Sequence, residues 1–242
     1  VVATTGTTST TALDPIGRIA QLTRQYGIWL HVDAAMAGSA MILPEYRWMW
    51  HGIEDADSLV LNPHKWLGVV FDSSLYFVRD AQHLIRVMST NPSYLQTAVD
   101  DRVKNYRDWG IPLGRRFRAL KLWFLIREQG VTGLQMRIRR DISNANWLKE
   151  QIAISPQWEL LAPVTLQTLC VRHVPEGIEA DQLDKHTLDW VDTINNSGAA
   201  YLTPTQLHGR WAVRISIGAE ATTFEHVRKL WETMKAAVKG QG

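Results

Sequence analysis

An α/β fold completed by a smaller α+β lobe is predicted by three observations. Apolar runs recur early in the chain, at Val1–Thr4, Ile28–Val32 and Ser58–Leu61, and each reads as a strand of a parallel sheet. The connections between them are long enough for parallel crossovers. Beyond about residue 155, short strands alternate with amphipathic helices, the pattern of a separate α+β lobe.

Each element has its own local signal. Val1–Thr4 reads as a buried strand with no partner strand before it, so the chain is expected to start mid-fold, as a fragment or a nicked subunit. After Gly6 and a Thr/Ser-rich loop, Asp14-Pro15 reads as an N-cap followed by proline at the first helical position, opening a helix to about Tyr26. Strands follow at Ile28–Val32, Ser58–Leu61 and Ser74–Val78, then a short helix near Ala81 to Met88. Residues 89–112 are polar without sustained apolar periodicity and read as a long functional loop.

From Gly114 an apolar helix runs through Leu120, Trp123, Phe124 and Ile126 to a break at Gly130, and apolar residues on several faces predict its burial. The helix after it places Leu134, Ile138, Ile142, Ala145, Leu148 and Ile152 on one stripe. Arg137, Arg140, Asn144 and Lys149 fall opposite and read as a solvated face rather than an anion-binding surface. Strands are expected at Trp158–Leu161, Thr168–Val171, near Tyr201 and at Trp211–Ile217, with a helix from Ala180 to Asn195. Thr222 and Glu225 fit a capping box for a closing helix whose inner face is Val227, Leu230, Trp231, Met234 and Val238. The expected domains are 1–112, part of a large domain with a loop at about 89–112, then linking helices over 113–154 and a small domain over 155–242.

Composition narrows the function classes. The chain has 242 residues, 45% of them hydrophobic, enough to bury at least one full core. A net charge of +2 gives no field to recruit nucleic acid or an anionic membrane. Neither a signal peptide nor a bilayer-spanning stretch is readable, so a cytoplasmic location is the expectation. The single cysteine, Cys170, sits in an apolar run and reads as a small core residue.

The chemistry-bearing residues follow the predicted strands, where ligands bind in open parallel sheets. They are Thr7-Thr8-Ser9, Asp33, and Asn62-Pro63-His64-Lys65. Lys65 alone reads equally as a nucleophilic amine or as a solvated turn lysine, and Asp33 alone as the cap of a turn. A carboxylate and an amine delivered separately to one crevice are what a pyridoxal phosphate site requires. His31 and Asp33 share a strand face but supply no third clustered ligand for a metal, so none is expected.

Four motifs carry a family resemblance: Thr7-Thr8-Ser9, His31-Val32-Asp33-Ala34-Ala35, Asn62-Pro63-His64-Lys65-Trp66 and Pro112-Leu113-Gly114-Arg115-Arg116-Phe117. In this order, with 32 residues from Asp33 to Lys65 (65 − 33), they resemble the group II pyridoxal-phosphate decarboxylases, nearest the aromatic-L-amino-acid branch. The resemblance implies the type I pyridoxal-phosphate fold, aspartate-aminotransferase-like, and covers the C-terminal half of the family's chain. It implies pyridoxal 5'-phosphate held on Lys65 as a Schiff base, with Asp33 keeping the ring nitrogen protonated. Thr8, Asn62 and His64 match the family's cofactor contacts, and Ala35 would pack on one ring face.

Tyr94 matches the tyrosine of the family's mobile catalytic loop, the expected proton donor to the α-carbon; phenylalanine there would favour aldehyde formation. Gly114 matches a position near the substrate ring, although flexibility at a helix start explains it equally. The implied activity is decarboxylation of an aromatic L-amino acid to its amine, with an aromatic aldehyde synthase, a decarboxylase of a non-aromatic acid, or an inactive fragment as alternatives. A homodimer is also implied, together with a companion chain or preceding half that completes the site.

Overall fold

The computed structural model describes residues 1–90 and 102–239. A four-stranded sheet opens the chain, in the order β1 (Val2–Thr4), β2 (His31–Asp33), β3 (Ser58–Leu61), β4 (Leu75–Val78). The first three strands are parallel, with Thr4, Asp33 and Val60 in one row, and β4 returns antiparallel. Helix α1 (Ile16–Gln25) makes the first crossover and buries Ile16 and Ala20 against Ala3, Leu30 and Val32. The second crossover is a series of 3-10 turns, Ala37–Ile42, Pro44–Trp50 and Ile53–Asp55, rather than an α-helix. Helix α2 (Ala81–Met88) follows β4, its first turn capped by Asp80, whose carboxylate accepts from the Gln82 and His83 amides.

Several local expectations are corrected. Strand β1 lies at the sheet edge, with Val1 and Val2 exposed rather than buried. Strand β2 starts three residues later than its apolar run suggests, because Ile28 N donates back to Thr23 O and completes the turn from α1. Asp14 does not cap α1: its carboxylate accepts from Thr4 N at 2.7 Å, pinning the helix entry to β1, and Pro15 occupies the cap position.

Helix α3 (Ala119–Ala153) is broken where the sequence predicts, at Gly130, which adopts φ 61 and ψ 177. A left-handed residue there interrupts the helical ladder without the Cβ clash other residues would meet. The half before the break is not buried: Trp123 is 53% and Phe124 58% exposed, and Phe117, just ahead of the helix, is 74% exposed. In the half after it all six predicted stripe residues are buried. The supposedly wet face is mixed, because Arg137 and Asn144 are buried as well. That half is therefore packed on two sides, by the 3-10 turns with Trp66 and by the second sheet.

The second sheet is antiparallel, in the order β5 (Trp158–Leu160), β6 (Thr168–His173), β8 (Arg210–Ser216), β7 (Thr203–Leu207). Every residue of β6 is buried, and Cys170 is among them. Helices α4 (Ala180–Ser197) and α5 (Phe224–Lys239) close its core through Trp190, Val191, Ile194, Val227, Trp231 and Met234. The cap of α5 is shifted by one from the expected pair: Thr223 Oγ1 accepts from His226 N, while Thr223 N donates to His226 Nδ1. Glu225 is instead paired with Arg228.

One buried pair in this lobe makes stability depend on pH. His173 is 6% exposed, with Nδ1 2.9 Å from His186 Nε2 and its ring against Trp158. Burial first, and His186 second, lower its pKa from 6.5 to about 4. Between those values the unfolded chain binds a proton that the folded chain refuses. Stability is therefore full above about pH 6.5 and declines as the pH falls toward 4. His173→Phe is expected to remove from that decline on the order of 3 kcal/mol. Denaturant titrations of both proteins across that range check it, and parallel curves would refute it.

Candidate active site

The first three strands deliver their carboxyl ends to one edge, and backbone hydrogen bonds tie the loops that leave it. Thr5 N donates to Asp33 O at 2.8 Å, Asn62 N to Ala35 O at 3.0 Å, and Lys65 N to Asn62 O at 3.0 Å. The Thr/Ser loop, the Asp33 turn and the lysine turn are thus one bonded unit. Gly6 permits the first link: it has φ +87, and a Cβ there would lie 2.4 Å from Ala37 Cβ.

A cavity of about 380 Å³ opens beside this unit, lined by Thr8, Met36, Lys65, Trp66, Gln167, Arg214, Ser216, Gly218 and Ala219. Lys65 is the only primary amine in the lining and makes no side-chain hydrogen bond or ion pair among the described residues. The opposite wall comes from the second sheet. Arg214 donates from Nε to Thr8 O at 2.6 Å, Cys170 Sγ to Ser9 O at 2.9 Å, and the Ser9 and Thr205 hydroxyls lie 3.0 Å apart. Burial pushes the Cys170 thiol up to about 11, so it stays protonated and donates.

Of the sequence-predicted site residues, Lys65 and Thr8 share this cavity. Asp33, Ala35, Asn62 and His64 sit on the same sheet edge but do not line it. Asp33 Oδ1 accepts from Ala35 N at 2.9 Å, so the residue does cap its turn. Asn62 Oδ1 accepts from Ser74 Oγ at 2.6 Å, and His64 Nδ1 lies 2.6 Å from Ser73 O with its ring edge-on to Phe71. Gly114 is in exposed coil before α3 with open space around it, outside the cavity. Tyr94 lies outside the described residues.

His31, on the strand face it shares with Asp33, lies 2.8 Å through Nδ1 from Ser58 Oγ. Burial lowers its pKa against the opposing pull of Asp33, which favours the neutral ring. Among the described residues no three His, Cys, Asp or Glu side chains cluster as metal ligands. Gln167 and Arg214 were not foreseen from sequence. Gln167 lies just ahead of β6 and Arg214 within β8, far along the chain, where nothing local separates them from ordinary polar residues.

The family model for the pyridoxal-dependent decarboxylase conserved domain matches residues 1–174. The chain belongs to the pyridoxal-dependent decarboxylases. Its relatives in this family include a tryptophan decarboxylase of Camptotheca acuminata, 42% identical over 97% of this chain and 47% of that protein. A phenylacetaldehyde synthase of Arabidopsis thaliana is 40% identical over 96% of this chain and 48% of its own. Among solved structures, the Oryza sativa TDC with PLP and tryptamine superposes with a TM-score of 0.95 at 35% identity, over 100% of this chain and 50% of that one. The chain thus spans about half the length of the curated relatives it matches. The architecture is that of the family's type I fold. No helix among the described residues is long and apolar enough to cross a membrane.

Proposed function

We propose that the chain carries the lysine-bearing half of a pyridoxal 5'-phosphate-dependent decarboxylase that converts an aromatic L-amino acid to its amine and carbon dioxide. One observation carries this reading: the Lys65 amine, without a side-chain partner among the described residues, faces a cavity at the carboxyl edge of a parallel sheet, in a loop bonded to the turn that holds Asp33. That donor set fits the group, with an amine for its aldehyde carbon and a carboxylate from the neighbouring strand for its ring nitrogen. The tryptophan decarboxylase relative and the neighbour solved with PLP and tryptamine support both the cofactor and the substrate class.

Lys65 would hold the group covalently through Nζ and yield it to the incoming substrate amine. Asp33 would hold a proton at the ring nitrogen, while Thr8, Asn62 and His64 contact the group and Ala35 packs on one face. When bound, the group supplies the sink for the electron pair left by departing carbon dioxide. Arg214 and Gln167 give the far wall donors that can orient a charged substrate. Gly114 would leave room for a large ring such as indole once the rest of the protein closes the pocket. The same reading implies a cytoplasmic homodimer and a preceding half that completes the site. The exposed Val70, Phe71, Phe117, Trp123 and Phe124 offer apolar surface for those contacts.

Tyr94 would return a proton to the substrate α-carbon, ending the reaction at the amine. The test is a product analysis of the full-length protein with tryptophan, tyrosine, DOPA, phenylalanine and non-aromatic acids. Equal amounts of amine and carbon dioxide from an aromatic acid are expected. Tyr94→Phe should divert most product to aldehyde, ammonia and peroxide, with oxygen and water consumed. Aldehyde and peroxide as the main products of the unaltered protein would support the second reading, an aldehyde synthase, to which the Arabidopsis thaliana relative points.

A further inference from the structure

Directly behind Lys65 lies a buried ionic hub that the decarboxylation scheme above does not use. Trp66 is buried, and its indole Nε1 donates to Asp141 Oδ2 at 3.0 Å. Asp141 is 0% exposed on the second half of α3, and its other oxygen accepts from Arg140 Nε and Nη2 at 3.3 and 3.1 Å. Leu67, the next residue of the turn, gives its carbonyl to Arg137 Nη2, one helical turn before Asp141. Gly68 closes the turn at φ +84, a conformation that favours glycine, and a Cβ there would stand 2.6 Å from Arg137 Nη1, so a larger residue would have to displace the guanidinium. The three residues after Lys65 are thus each fixed by one helix.

The same hub reaches the far wall of the cavity. Arg140 Nη2 also donates to Glu220 O at 3.0 Å, and a Cβ on Gly218 would lie 3.0 Å from Trp66 Cδ1. Gly218 and Ala219 line the cavity with Lys65. A carboxylate removed from water is costly unless paired, and an apolar residue in its place would pack at least as well. Burial pushes the Asp141 pKa up, while Trp66, Arg140 and Arg137 oppose that shift and favour its charge. What the ionic group adds is direction: it fixes the rotation of the indole, and with it the turn that starts at Lys65.

We infer that Asp141 is a positioning residue for Lys65, acting through Trp66 and, with Arg137, setting the angle at which the amine enters the cavity. This rests on the reading above in which Lys65 captures pyridoxal 5'-phosphate. The test uses Asp141→Asn and Trp66→Phe in the full-length protein. Asparagine can still accept from Trp66 but cannot balance Arg140 and Arg137, whereas phenylalanine keeps the ring packing and removes the donor.

Both variants should capture pyridoxal 5'-phosphate from the apo state about tenfold more slowly or worse. Both should weaken the visible circular dichroism of the bound cofactor, lower kcat with KM held, and speed amide exchange in residues 62–69. Capture rates and dichroism equal to the unaltered protein in both variants would overturn the role, whatever happens to Tm. Should Asp141→Asn fail to fold, Trp66→Phe decides by the same two readouts. If the unaltered protein captures no cofactor, the functional reading falls and the positioning role with it. Equal capture by all three proteins sinks the positioning role alone.

Discussion

Lys65→Ala is expected to lower kcat of the full-length protein by roughly four orders of magnitude or more while Tm stays nearly constant. The two halves of that expectation have different physical origins. The lysine side chain is exposed and unpartnered among the described residues, so its removal should change stability by no more than about 0.5 kcal/mol. The turn itself is held by the Lys65 and Gly68 amides, by Val69 N to Pro63 O, and by the Trp66 anchor, none of which needs the amine. The reaction, in contrast, loses its covalent hook. Lys65→Arg separates charge from nucleophilicity, because a guanidinium keeps the positive charge without an amine able to condense with an aldehyde. It should be as inactive as alanine. Borohydride reduction of the holoprotein followed by peptide mapping should place a pyridoxyl adduct on Lys65. Activity within tenfold of the unaltered protein in either variant, or an adduct elsewhere, would refute the assignment.

Asp33→Asn should reduce kcat by about 10²- to 10³-fold, the magnitude typical of removing one preorganised electrostatic partner. Asparagine keeps an oxygen for the Ala35 amide, now bonded at 2.9 Å, so the turn and the loop network survive. It loses the negative charge that would hold a proton on the cofactor's ring nitrogen. Asp33→Ala removes the turn bond as well and should cost about a further 1 kcal/mol of stability. Comparing kcat, cofactor absorption and Tm across the two variants distinguishes the roles. Were Asp33 merely a turn cap, the asparagine variant would retain full activity and only alanine would show a defect.

The sites differ in how far the sequence reached. Strand β3 and helix α2 are found at their predicted residues, because their apolar patterns are local signals; the Asp80 cap of α2 is seen only in the structure. The stripe from Leu134 to Ile152 and the break at Gly130 were legible for the same reason. Arg137 and Asp141 were not. A charged residue on a helix reads as solvated until something packs over it, and what covers these two is the Trp66 turn from some 70 residues upstream. The opposite error arose at Trp123 and Phe124, read as buried from their hydrophobicity yet exposed here. Their composition reports a surface that favours leaving water without saying what covers it.

What the sequence determined by itself is the chemistry on offer: the strand-ending Asp33 and Lys65, the family's motifs, and the periods of the helices. Those are set by residue type and spacing along one segment, where strand ends and helical faces follow from backbone geometry. Only the tertiary structure decided which polar groups meet. Arg214 and Gln167 share a cavity with Lys65 because the antiparallel sheet packs against the Thr/Ser loop. Asp141 stands behind Lys65 because the second half of α3 is wedged between the 3-10 turns with Trp66 and the second sheet. Contacts of that separation are fixed by the joint packing of several hydrophobic faces, and no single segment encodes them.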